Sequence, residues 1–101
     1  MPSAEVQKMI PAIRGFFQTK PVDQVYLFGS CSRGDETKDS DVDLLVTLTP
    51  GTKMGLAFYG MMVDLEDILH RPVDMVRQGC LLPYAEKSVE KDKMLIYERT
   101  K

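Results

Sequence analysis

The chain has 101 residues, 44% of them hydrophobic and 28% charged, with 13 Lys+Arg against 15 Asp+Glu and a formal net charge of -2. A chain of this size buries roughly 60 to 65% of its unfolded surface, so residues 1–101 are expected to form a single domain and any second substrate is expected on another chain. The slightly acidic balance argues against nonspecific duplex nucleic-acid binding, and no apolar run approaches the ~18 residues of a membrane span or forms a secretory leader, so a cytoplasmic protein without membrane contact is expected.

Val6, Met9, Ile10, Ile13 and Phe17 recur at steps of three and four, which predicts a first helix opening near Ser3 and ending before Pro21. Val25 to Phe28 is a short run of strand formers closed by Gly29. From Gly29 to Ser40 the chain turns polar and glycine-rich, and Val42, Leu44, Leu45 and Val46 then begin a second strand that stops at Pro50-Gly51. Met54, Phe58, Met61, Met62, Leu65, Ile68 and Leu69 follow a helical template until Arg71-Pro72 breaks it. Val73 to Val76 reads as a third strand, and Pro83 opens a last helix with an apolar tail, Met94 to Tyr97. The helix between strands two and three suits a parallel crossover, while a shared site at the end of strand one and the start of strand two requires those two to run antiparallel. The expectation is an α+β fold with a small mixed sheet and flanking helices.

Asp41 and Asp43 lie two apart on a strand, so both side chains face one way with α-carbons roughly 6.5 to 7 Å apart. An isolated Asp-x-Asp is more often a solvated strand end, but Asp35 and Asp39 crowd more charge into the same stretch. Two carboxylates ~4 Å apart repel by about 4 kcal/mol at an effective dielectric of 20, which a divalent cation would relieve. The spacing excludes an EF-hand, because Leu44 stands where its glycine belongs and Pro50 where its glutamate belongs. It excludes a Walker loop as well, since Asp35-Glu36 replaces the Lys-Ser/Thr after Gly29 to Gly34. Cys31, Cys80 and the single His70 leave zinc short of ligands, so both cysteines are expected as free thiols. Gly29-Ser30 allows close backbone approach to phosphate oxygens, and Arg33 adds a positive fork.

The run Gly29-Ser30-Cys31-Ser32-Arg33-Gly34, followed by Ser40-Asp41-Val42-Asp43-Leu44-Leu45-Val46, resembles the two-part signature of the nucleotidyltransferase superfamily that includes DNA polymerase beta. The short length, the Arg71-Pro72-Val73-Asp74-Met75-Val76 segment and the closing helix resemble its minimal branch, the MNT-type antitoxins. The resemblance implies the polymerase beta-like fold. It also implies that Gly29 and Ser30 hold a nucleoside triphosphate, with Arg33 and Ser40 as further phosphate contacts, and that Asp41, Asp43 and Asp74 are the catalytic and metal-binding acids. The implied chemistry is magnesium-dependent AMP transfer from ATP with two ions, onto a hydroxyl of a cognate HEPN-type toxin, its acceptor a tyrosine. The other reading is a noncatalytic nucleotide-binding module that neutralises its partner by docking. Homo-oligomerisation is left open. Met61 and Met62 read as core fillers, His70 as a helix-end cation, and Lys87, Lys91 and Lys93 as a solvated face.

Overall fold

The computed structural model describes residues 2–100. Helix α1 (Ala4–Phe17) begins where expected because the Ser3 hydroxyl accepts the Val6 N–H at 3.2 Å, satisfying one of the free donors of the first turn. The chain continues through β1 (Val22–Phe28), α2 (Ser30–Arg33), β2 (Val42–Leu48), α3 (Ala57–Leu69), β3 (Val73–Arg77), α4 (Pro83–Asp92) and β4 (Met94–Glu98). The four strands form one sheet in the order β3-β2-β1-β4. β1 runs antiparallel to β2, as a site shared by their ends requires, and β2 runs parallel to β3 across the α3 crossover.

Successive strand residues point to opposite faces of the sheet, and this alternation separates core from site. Val25, Leu27, Val42, Leu44, Val46, Val73 and Met75 are buried in one cluster with Val6, Ile13 and Phe17 of α1 and Phe58, Met61 and Leu65 of α3. Phe28, Asp43, Asp74 and Val76 take the alternate positions, and the first strand's Phe28 and the third strand's Asp74 and Val76 share a cleft with Ala85 and Val89 of α4. Met61 is a core filler and Met62 packs against its edge.

Several expectations are corrected. The apolar tail after the last helix is β4, antiparallel to β1, with Ile96 and Tyr97 buried and the Tyr97 ring 6.4 Å from that of Phe17. Lys93 is extended and ends α4, releasing a run of strand formers to the sheet edge. The expected loop after Gly29 contains the single turn α2, closed by left-handed Gly34. The long helix starts at Ala57 rather than Met54, following a turn in which Gly55 has φ +51°. His70 closes α3 through its backbone, left-handed and with its N–H donating to the Glu66 carbonyl at 2.8 Å.

Candidate active site

Register places the acids. Phe28 of β1 pairs with Asp43 of β2, and Asp43 pairs with Asp74 of β3, so the last residue of β1 and both aspartates meet at one end of the sheet. Neighbouring strands lie ~4.8 Å apart, which makes Asp43 and Asp74 same-face neighbours. Asp41 stands just before β2, exposed, with its carbonyl accepting the Cys31 thiol at 3.4 Å.

Gly29 is needed here for two reasons. It has φ +73°, a conformation that L side chains rarely adopt, and a β-carbon on it would lie 2.3 Å from Asp43 Oδ2. The missing side chain therefore makes room for the carboxylate, a role that the phosphate-approach reading did not include. α2 follows at once, anchored by Ser32, whose hydroxyl donates to the Gly29 carbonyl at 2.9 Å.

Half-burial pushes the Asp43 carboxyl up to about 6, with the charges of Asp74 and then Asp41 adding to the shift and Arg33 opposing it. Asp35, expected to crowd these acids, instead accepts from Arg33 Nε at 3.0 Å. Burial also pushes the Cys31 thiol up, so this free cysteine is a packed small side chain, whereas Cys80 is free and exposed.

The expected phosphate contacts divide. Gly29 and Ser30 sit beside Asp43 at the end of β1. Arg33 is already engaged by Asp35 and by Asp92 at the end of α4. The Ser40 hydroxyl accepts the Thr37 N–H at 2.8 Å and shapes the loop entering β2. Sequence reasoning missed Asp92, which lies in a helix that reads as a solvated face. It also treated Arg71 only as a helix breaker. The Arg71 side chain is 8% exposed and donates to Glu5 at 3.2 Å and to the Thr37 carbonyl at 3.4 Å, tying the acid-bearing loop to α1.

Among the described residues no three His, Cys, Asp or Glu side chains stand together as a ready-made metal cage. The donor set fits magnesium nonetheless. That ion is held by one or two carboxylates with substrate phosphates and water, and Asp43 is a carboxylate kept half-buried against two like charges.

A four-stranded mixed sheet with paired acids beside a glycine turn defines the class of the protein, and comparison with known proteins gives the family. The model of the nucleotidyltransferase domain matches residues 10–100. Two Methanocaldococcus jannaschii chains, both provisionally named protein adenylyltransferases, are 36% and 39% identical over 78 and 77 residues, covering 75% of this chain and 76% of each relative. A solved minimal nucleotidyltransferase, so described provisionally, superposes with a TM-score of 0.74 at 28% identity, covering 93% of this chain and 95% of that one. A toxin-antitoxin structure with AMP-PNP gives a TM-score of 0.76 at 22% identity, covering 90% and 74%. A complex of tri-AMPylated Shewanella oneidensis HEPN toxin with its MNT antitoxin gives 0.63 at 21%, covering 94% and 71%. The chain belongs to the nucleotidyltransferase domain family and is a nucleotidyltransferase enzyme of the minimal, MNT type. Among the described residues no helix is long and apolar enough to cross a membrane.

Proposed function

We propose that this chain acts as one domain to transfer AMP from ATP onto a tyrosine hydroxyl of a partner HEPN toxin, and that it serves as the antitoxin. The observation that carries the reading is the registered Asp43–Asp74 pair beside Gly29, with Asp43 held half-buried against its own kind. The names of the Methanocaldococcus jannaschii relatives and the AMPylated toxin of the Shewanella complex support the protein acceptor.

Asp41 and Asp43 with Asp74 would hold two magnesium ions, which when bound neutralise the triphosphate and lower the pKa of a hydroxyl. Gly29 and Ser30 present the start of α2 to the triphosphate, with Ser40 fixing the adjoining loop. Arg33 reaches phosphate by exchanging Asp92 for it. Asp74, exposed at the start of β3, accepts the acceptor's proton while its oxygen bonds to the α-phosphorus and pyrophosphate departs with the electron pair of the broken bond. No covalent enzyme intermediate is needed.

The test uses the purified chain with the protein product of the adjacent reading frame. Asp74→Asn should bind that protein as the wild type does and label it with AMP about 100-fold more slowly. Full labelling by the variant removes Asp74 from the mechanism, and partner binding without labelling by the wild type leaves docking as the activity.

A further inference from the structure

Helix α3 is apolar on two sides. Phe58, Met61 and Leu65 are buried in the core, while Leu56, Tyr59 and Val63 are 85%, 61% and 51% exposed. These three recur at steps of three and four, so with Gly60 they form one solvent-facing stripe that runs on to exposed Asp67. Scattered apolar residues on a surface are ordinary, but three in a helical row make a face. Gly60 points the same way. A β-carbon there would meet nothing within 4 Å, so no packing inside this chain calls for a glycine in mid-helix, where it weakens the helix relative to alanine. Bare backbone in the middle of the stripe leaves room for a second helix to approach closely.

The charges select that second helix. A helix favours acids in its first turn and cations in its last. α3 is patterned the other way: Lys53 precedes it, its first turn holds no acid, and Asp64, Glu66 and Asp67 crowd its second half with no basic residue in the last turn. Glu66 accepts the Val73 N–H at 2.9 Å, whereas none of the ion pairs among the described residues uses Lys53, Asp64 or Asp67. The complement of this pattern is the same helix running in the opposite direction. At ~1.5 Å per residue, Lys53 and Asp67 lie about 10 Å to either side of Gly60. An antiparallel copy crossing at Gly60 therefore brings each Asp67 to Lys53 and the first turn of the other α3, and sets Leu56 beside Val63. A parallel copy would stack like charges instead. We propose that the exposed face of α3 binds a second copy of this chain, the two helices pairing antiparallel about a two-fold axis at Gly60. α3 packs on the sheet face opposite Asp43 and Asp74, so the interface leaves both acid sites clear. A contact built on one helix pair falls below the ~1,200 Å² of a standard interface, which makes the dimer a weak one, with a dissociation constant on the order of micromolar.

Sedimentation velocity of the full chain from about 1 μM to about 1 mM should show a reversible equilibrium between monomer and dimer. Gly60→Gln places a better helix former at the crossing point, so it should raise the melting temperature of the monomer yet weaken the dimer by roughly tenfold or more. Lys53→Asp and Asp67→Lys should each weaken the dimer by about three- to tenfold, and the double variant, which exchanges the two charges, should return to within about twofold of the wild type. That rescue separates an antiparallel pair of α3 helices from any other self-association. A chain that stays monomeric at every concentration, a dimer that Gly60→Gln leaves intact, or a charge-exchanged variant no tighter than its single variants would overturn the proposal. A monomeric wild type whose binding to the product of the adjacent reading frame is lost in Gly60→Gln would overturn it as well, and assign the face to that protein.

Discussion

At the scale of single residues, the site is a compromise between Asp43 and its surroundings. Its carboxyl, ordinarily near 3.8, stands at about 6 in the metal-free fold because burial and the charges of Asp74 and Asp41 disfavour ionisation. A carboxyl raised on folding stabilises the fold below its unfolded value, and that contribution disappears as pH rises through 6. Asp43→Asn should therefore leave stability at pH 4 nearly unchanged and raise it at pH 8 by roughly 1–2 kcal/mol, the full shift being discounted for solvent screening of a half-buried group, measured by urea unfolding with chelator present. The same variant should lose the thermal stabilisation that magnesium gives the wild type at pH 8, since the repulsion it relieves has gone; an unchanged magnesium response would remove Asp43 from the metal site. Gly29→Ala places a β-carbon against Asp43 Oδ2 in a conformation that alanine resists, so it should destabilise the chain by about 1–3 kcal/mol and weaken magnesium-ATP binding with it. Asp43 on a strand and the glycine closing β1 were legible from local pattern, whereas Asp41, expected on the same strand, precedes β2. The glycine's second role was not, because the contact with Asp43 crosses between two strands.

At the scale of elements, the three strands carrying the site and the crossover helix follow from local pattern, while the antiparallel pairing of β1 with β2 follows only from requiring their ends to share one site. β4 does not, because five residues after an amphipathic helix read equally as its apolar tail, and only the free edge of β1 decides between them. Ile96, 6% exposed on that strand, should cost about 2–4 kcal/mol when cut to alanine, a loss that a helix tail fraying into solvent would not show. The tie between α2 and α4 was equally hidden, since Arg33 and Asp92 are 59 residues apart. Asp92→Asn releases Arg33 for phosphate and should tighten magnesium-ATP binding by roughly two- to fivefold, the scale of a partly exposed ion pair. Weaker binding in a titration of that variant would mean that Asp92 positions the arginine instead of competing for it.

At the scale of the whole molecule, the sheet divides the labour between its faces. One face buries the core against α1 and α3, and the other presents acids and an apolar cleft beneath α4, so the chemistry sits where packing leaves the surface free. On the proposed function the acids and the glycine turn come from this chain and the acceptor from a second protein, a division that suits the small core. The reaction class is tested most directly by following which phosphorus of ATP reaches that protein. With the product of the adjacent reading frame as acceptor and magnesium present, label from the α-phosphorus of ATP should appear on it and label from the γ-phosphorus should not, with Asp43→Asn losing the α-label. Transfer of the γ-label, or an α-label undiminished in that variant, would contradict nucleotidyl transfer at these acids.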